Sequence, residues 1–183
     1  MDVPNNTRAT YKISNNGSTK TLINYQQFTD RTYDSSHNVI NQKIVTFVDP
    51  GSLVTDFTNL SQATFSSCEE VRSSGFTPSG VAASQTIVDY SDKNEGSIID
   101  VKVVSNSNIS ANGNVGTSVV TTYGSATISA DLSTITPTGD PISRQTTTTA
   151  ANAFDIYGNA AGQTIFSVYW QMSKASIRAT DFY

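Results

Sequence analysis

Residues 163–174 contain a strict two-residue alternation that predicts a β-strand. In an extended chain this period puts every second side chain on one face. The segment also holds the only Trp of the chain. Each large apolar side chain, once buried, contributes about 1.5–3 kcal/mol of transfer free energy. We therefore expect a central strand whose apolar face is covered by the rest of the protein. The side chains of that face are Phe166, Val168, Trp170 and Met172.

The composition around this segment favours an all-β protein. Charged residues make up only 14% of the chain, compared with about 25% in typical soluble domains. Ser, Thr and Asn together account for 65 of the 183 residues; Thr suits strands, while Ser and Asn suit turns. Glu, a helix former, occurs only at positions 69, 70 and 95. Alternating segments separated by Pro, Gly and Asn turns predict about nine strands, in a single domain spanning 1–183. The expected architecture is an antiparallel β-sandwich, a jelly roll or an open barrel.

The first hairpin is predicted around Asn16-Gly17, because Asn-Gly between alternating segments is a strong hairpin signal. A two-residue loop would pair Tyr11 with Leu22 and Ile13 with Lys20. A three-residue loop over 16–18 would pair Tyr11 with Ile23 and Ala9 with Tyr25. We favour the second register, because it keeps apolar side chains opposite each other.

A second turn is expected at residues 33–40, which resemble the tip of one YD-type hairpin repeat. His37 stands where such repeats have Gly, and we identify one copy, so the pattern favours a turn and not a repeat array. Residues 105–116, rich in Asn, Ser and Gly, predict a loop that is mobile or a contact surface.

One short helix is expected near 67–73. Apolar and small side chains between 53 and 71 step by three and four residues, which is typical of a helix. Ser66 and Ser67 each precede a Glu by three residues, as in two overlapping capping boxes, and Gly75 follows as a stop.

Residue types that commonly act in catalysis are few in this sequence, and we expect the protein to be no enzyme and to have no catalytic residues. His37 is the sole histidine. We interpret it as a solvated turn residue; the alternative is the catalytic histidine of a hydrolase, oriented by Asp34.

Cys68 is the sole cysteine, which excludes an intrachain disulfide and a Cys-based zinc site. It is expected to be a small buried hydrophobe, although the predicted helix N-terminus could activate it. Glu69 and Glu70 are adjacent, so they face different directions and do not flank one substrate bond.

No metal or cofactor site is expected. Residues 89–96 carry several oxygen ligands, but the Gly arrives one position too early for an EF-hand loop. An ordinary acidic turn is therefore favoured over a calcium loop. Eight tyrosines could stack sugars, but alternating strands explain most of them as half-buried sheet residues.

Charge and hydropathy argue against two classes of partner, nucleic acids and membranes. The net charge is −4 and basic residues do not cluster, which argues against nucleic acid. No segment approaches the 18 apolar residues of a membrane span, and residues 1–6 do not resemble a signal peptide.

Residues 146–149 are four consecutive threonines, expected to form an uncharged edge strand that accepts a neighbouring chain. The alternative is an edge covered by the chain's own 105–116 loop or by a terminus. We therefore expect a structural or attachment component of a larger extracellular or virion assembly, such as a bacteriophage capsid or tail protein. Its partners would be copies of itself or other structural proteins of that assembly. The alternative is a secreted carbohydrate-binding β-sandwich module, for which the partner is a surface glycan.

Overall fold

The computed structural model describes residues 6–17, 19–48, 63–129 and 134–170. Apart from two short 3₁₀ turns, Asn15–Gly17 and Ala151–Ala153, the regular structure in these ranges is β. The strands are β1 (Asn6–Ser14), β2 (Thr19–Tyr33), β3 (Val39–Val48), β4 (Thr64–Phe76), β5 (Ala82–Tyr90), β6 (Ile98–Ile109), β7 (Val115–Tyr123), β8 (Ser125–Ile128), β9 (Ile135–Thr138), β10 (Ser143–Thr148) and β11 (Thr164–Tyr169).

Nine of these strands form one antiparallel sheet. Their order is β1-β2-β3-β4-β5-β6-β7-β10-β11, while β8 and β9 pair with each other as a separate hairpin. From β1 to β7, strands that follow one another in the chain are neighbours in the sheet, as expected when short turns connect them; β10 then pairs with β7 across the separate β8–β9 hairpin. The prediction of an all-β antiparallel fold with about nine strands is confirmed: nine strands form one antiparallel sheet, which does not close into a barrel.

The core lies on one face of this sheet, which we call the covered face. Cross-strand pairs place Cys68 opposite Tyr90 and Glu70 opposite Val88, so their side chains share this face. The β8–β9 hairpin packs over it, with Ile135 buried and Ala126 and Ile128 partly buried. The buried residues of the core are Tyr25, Val45, Phe47, Cys68, Val88, Tyr90, Val101 and Ile135.

The prediction that residues 163–174 form the central strand is wrong in position. Residues 164–169 are a strand, β11, but β11 is the last strand of the sheet order. Phe166 and Val168 do share the covered face, through their partners Thr146 and Arg144, yet Phe166 is 65% and Trp170 41% exposed. Met172 lies outside the described residues. The alternation therefore identified a strand and its shared face, but not its place in the sheet.

The short helix predicted near 67–73 is also wrong, because this segment lies inside β4. The two serines of the expected capping boxes are ordinary strand residues. Cys68 and Glu70 are buried on the covered face while Glu69 points to the opposite face, which is the period of a strand. Because the inward position 70 holds a charged Glu, the two-residue alternation of apolar and polar side chains could not be recognised in the sequence. The upstream part of the helical pattern, residues 53–62, lies outside the described residues.

The first hairpin combines both of the registers proposed for it. Next to the turn, Tyr11 pairs with Leu22 and Ile13 with Lys20, the register of the two-residue loop. Beyond an irregularity between Thr10 and Tyr11, Ala9 pairs with Tyr25, the register favoured from the sequence. The extra residue in β2 lets Tyr25 reach the core.

The turn predicted at 33–40 is confirmed, and its geometry recurs. Asp34 Oδ1 accepts the backbone N–H groups of Ser36 and Asn38, and Asn38 Nδ2 donates to Oδ2 at 2.9 Å. Asp155 makes the same bonds with Tyr157 and Asn159. The expectation of a single copy of this turn is therefore wrong.

The segment 105–116, expected to be a loop, is a hairpin. β6 continues to Ile109 and β7 begins at Val115, with Ser110 donating its backbone N–H to the carbonyl of Asn114 at 2.9 Å. A positive φ of 86° at Gly113 closes this turn, a conformation that glycine adopts without strain.

Candidate functional site: the β11 edge

The two outer strands of the sheet, β1 and β11, differ in charge. β1 carries Arg8 and Lys12, whereas β11 has the sequence Thr-Ile-Phe-Ser-Val-Tyr without a charged side chain. In the part of the chain that the structure describes, β11 pairs with β10 on one side and with no strand on the other. Lysine and arginine on an edge strand disfavour pairing with another chain, because the approaching strand would desolvate the charge. β1 is therefore guarded, and β11 is the open edge of the sheet as far as residues 6–17, 19–48, 63–129 and 134–170 show it.

Large apolar side chains are exposed on both faces of β11. Phe166 points to the covered face and Ile165 and Tyr169 to the opposite face, and these three side chains are 59–73% exposed. Ile156 and Tyr157 extend from the turn that precedes β11, and both are more than 80% exposed. A cluster of exposed apolar side chains on an unguarded edge is characteristic of an interaction surface.

The edge strand expected at residues 146–149 is not an edge. Thr146 and Thr147 belong to β10, which lies between β7 and β11. Thr149 is only 4% exposed; its backbone N–H donates to Gly116, and its hydroxyl accepts a bond from Gln163 Nε2 at 3.0 Å. The open, uncharged edge is instead the strand that pairs with this threonine segment.

His37 occupies the turn between β2 and β3, as expected. Its side chain is exposed, and its φ of 65° together with a backbone bond to Asp34 identifies it as a turn residue. The Asp34 carboxylate already accepts bonds from Asn38, which lower the pKa of Asp34. It is therefore engaged in holding the turn and does not orient the imidazole.

Cys68 is a buried strand residue, with no accessible surface. Burial raises the pKa of its thiol to about 11. A thiol that stays protonated at neutral pH is a weak nucleophile. The structure thus places Cys68 in the core, as the small-hydrophobe interpretation expects.

Glu69 and Glu70 point to opposite faces of the sheet, as their adjacency requires. Glu70 is 2% exposed. Its carboxylate contacts the Arg72 guanidinium and accepts a hydrogen bond from the Tyr90 hydroxyl at 3.0 Å. Arg72 also donates to the side-chain oxygen of Asn41. This buried network was not predicted from the sequence; the spacing of Glu70 and Arg72 in a strand was its only signal.

Glu69 belongs to a row of three carboxylates on the opposite face. It pairs with Asp89, which in turn pairs with Asp100. Lys102 contacts Asp89 and lies 3.2 Å from Asp100. Burial, and then the charge of Asp89, raises the pKa of Glu69; burial, and then a hydrogen bond with Asp89, raises that of Asp100. The single positive charge of Lys102 therefore does not neutralise the negative charges of Glu69, Asp89 and Asp100.

This row predicts that Glu69→Gln stabilises the protein at neutral pH. Because the folded-state pKa of Glu69 is raised, folding binds protons there, and stability falls as pH rises from about 4.3 through the folded-state pKa. Solvent screening keeps the gain at pH 7 below about 1 kcal/mol. Urea unfolding of the wild type and of Glu69→Gln should be measured between pH 3 and 8. The free energies of unfolding of the two proteins should differ least at acid pH and differ more as the pH rises. Equal pH dependence in the two proteins would contradict the prediction.

The acidic turn at 89–96 does not gather its carboxylates. Asp89 lies in the carboxylate row with Glu69, and Glu95 contacts the Lys43 ammonium. Asp92 accepts the backbone N–H of Asn94 at 2.7 Å, within the turn itself. Among the described residues, no three His, Cys, Asp or Glu side chains are placed to hold a metal ion.

The tyrosines divide between core and surface. Tyr25 and Tyr90 are buried, Tyr11, Tyr33 and Tyr123 are partly buried, and Tyr157 and Tyr169 are exposed. Tyr183 lies outside the described residues. The half-buried interpretation therefore fits three of the tyrosines, while the exposed pair belongs to the β11 edge.

Helices long and apolar enough to cross a membrane do not occur in the described ranges. Comparison of the chain with protein-family models, with curated proteins and with solved structures gives no match. The site must therefore be interpreted from its own geometry.

Proposed function

We propose that this chain is a non-enzymatic structural component of a larger extracellular or virion assembly, and that it binds a second copy of itself through β11. The observation that carries the proposal is the contrast between the two sheet edges, one with Arg8 and Lys12 and the other uncharged. An edge strand leaves alternate backbone N–H and C=O groups without strand partners, and a strand from another chain satisfies them.

A second β11 strand is the simplest partner. Two antiparallel copies related by a twofold axis would bring the same surface together from both sides, the commonest arrangement in homo-oligomers. Pairing would extend the sheet across the contact and bring together the exposed apolar side chains of both faces, including Phe166 and Tyr169. Burial of apolar surface contributes about 25 cal/mol per Å² before the cost of association is subtracted.

Introducing a lysine into β11 is therefore expected to weaken self-association by at least about tenfold, or 1.4 kcal/mol. Ser167→Lys places an ammonium in the middle of the edge, at an exposed position. Ile165→Lys does the same and also removes an exposed apolar contact. Sedimentation equilibrium over a wide concentration range measures the dissociation constant directly.

Thr7→Lys is the matched control, because Thr7 is also exposed on an outer strand but on the guarded edge β1. It should leave association unchanged, and all three variants should keep the wild-type melting temperature. A wild-type protein that remains monomeric at millimolar concentration, or β11 variants that associate like the wild type, would contradict the proposal.

The non-enzymatic part of the proposal rests on the two side chains best suited to catalysis. His37 is a turn residue whose acidic neighbour is engaged by Asn38. Cys68 is buried, with a raised pKa. A buried thiol that stays protonated is a poor nucleophile, and a hydrogen-bonded turn carboxylate is poorly placed to serve as the partner of a catalytic imidazole.

Trp170 supports a second candidate, the carbohydrate-binding module. At 41% exposure its ring is accessible for stacking on a sugar, and indole rings are good stacking surfaces. Tyr169, the next residue, belongs to the opposite face of the sheet, so these two rings do not form one platform. A sugar site at the edge would lose binding in Trp170→Ala.

A further inference from the structure

A cleft of about 1240 Å³ opens on the covered face, beside the β8–β9 hairpin. Its floor is formed by neighbouring residues of β2 to β5: Thr32 pairs with Asn41, which pairs with Arg72, which pairs with Thr86. One step further along, Ser74 pairs with Ser84. The covered face thus changes from apolar, under the hairpin, to polar in the cleft. The floor residues are Thr32, Asn41, Arg72, Ser74, Ser84 and Thr86.

The rim of the cleft is built from three turns or hairpins. The 34–38 turn stands on one side and the 77–81 turn on another, where Thr77 donates its backbone N–H to the Val81 carbonyl at 2.9 Å. Thr134 and Ile135 close the side towards the core. Each turn is fixed by bonds within it, so the walls are formed before any ligand arrives, which reduces the cost of binding.

Few charged side chains line the cleft. Of the described residues that line it, Arg72 and Asp34 are the charged ones. Arg72 contacts the buried Glu70 carboxylate, and Asp34 accepts bonds from Asn38. The Arg72 cation thus already has a counter-charge, and the Asp34 carboxylate repels anions, in a protein of net charge −4. The lining favours a neutral ligand.

We infer that this cleft binds a neutral oligosaccharide. Hydroxyl and amide side chains both donate and accept hydrogen bonds, as sugar hydroxyls do. Ile40, Phe76 and Ile135 add apolar surface to the same lining, which suits the C–H faces of sugar rings. The volume exceeds the range of about 300–1,000 Å³ for drug-sized ligands, so the open cleft has room for several sugar units. A peptide strand is less suited, because the cleft presents side chains of a sheet face and not an open backbone edge.

The test is titration of the wild-type protein with neutral hexasaccharides, namely maltohexaose, cellohexaose, xylohexaose and chitohexaose, with hexagalacturonic acid as the charged comparison. Calorimetry should detect at least one neutral hexasaccharide. Backbone amide shifts should change at 32–41 and 72–86 when that sugar is added. Ser74 is exposed on the floor, so the indole of Ser74→Trp should fill the cleft and weaken binding by at least about tenfold.

Ser105→Trp is the matched control. Ser105 pairs with Ser84 on the neighbouring strand, is exposed, and does not line the cleft. This variant and Trp170→Ala should bind as the wild type does; loss in Trp170→Ala would place the sugar at the β11 edge instead. Absence of binding to every neutral hexasaccharide, preference for hexagalacturonic acid, or amide shifts outside the cleft would overturn the inference. Self-association is measured separately, so each proposal can fail alone.

Discussion

Glu70→Gln is expected to lower the free energy of unfolding by about 2–4 kcal/mol, because it breaks a largely buried ion pair by removing the charge of one partner. The side chain of Glu70 is 3% exposed and that of Arg72 12% exposed. Gln keeps the shape of the side chain but removes its charge, so the largely buried Arg72 guanidinium loses the Glu70 carboxylate as its ion-pair partner. The Tyr90 hydroxyl also loses a charged acceptor, which makes a stronger hydrogen bond than a neutral one.

Urea unfolding at pH 7 measures this loss, with Glu69→Gln as the neighbouring control. The two substitutions are chemically identical and one residue apart, yet Glu69→Gln should be slightly stabilising at this pH. Replacing Glu70 and Arg72 together with leucine should recover part of the stability, because an apolar pair leaves no uncompensated charge. A cost below about 1 kcal/mol for Glu70→Gln would show that water reaches Arg72 and that the pair is not sealed.

Ile135→Ala is expected to cost about 2–5 kcal/mol, as for other large-to-small substitutions in a core. Ile135 is 8% exposed and is the buried residue of the β8–β9 hairpin that joins the core cluster of the sheet. A two-stranded hairpin is marginally stable by itself, so its position depends on this contact. Shortening the side chain leaves a cavity between hairpin and sheet.

Ile99→Ala provides the matched control, since Ile99 is 60% exposed and should change stability by less than about 0.5 kcal/mol. Hydrogen exchange adds a local measurement: in Ile135→Ala, amides of β8 and β9 should exchange faster than those of β4 and β5. Equal stability losses at the two isoleucines, or unchanged protection of the hairpin, would contradict the role given to Ile135.

The sequence alone was sufficient to predict features that depend on residues close to one another in the chain. Asp34 and Asn38 specify their turn through bonds between residues four apart, and the alternation around Phe166 and Val168 correctly predicted a shared face. The all-β class followed from the β-branched and turn-forming composition. In each case the interactions that decide the structure lie within a few residues of one another.

The tertiary structure decided which strands are inside and which inward residues are polar. Ile99 alternates with Val101 in the sequence, but Tyr90 pairs with Ile98 and Asp89 with Asp100. The irregularity between them leaves Ile99 outside the ladder and exposed. Glu70 and Arg72 also occupy inward positions, where they bond with Tyr90 and Asn41 of the two neighbouring strands. The period of the apolar residues does not indicate these contacts between strands.

The position of β11 at the edge of the sheet is another feature that the sequence pattern could not predict. A two-residue period determines which side chains share a face, but it does not determine which strand has two neighbours. In this sheet the strands pair in nearly the order of the chain, so the last described strand lies at an edge. Trp170 is therefore exposed, although it follows one of the most apolar alternations in the sequence, because strand order and not side-chain pattern decides what can cover it.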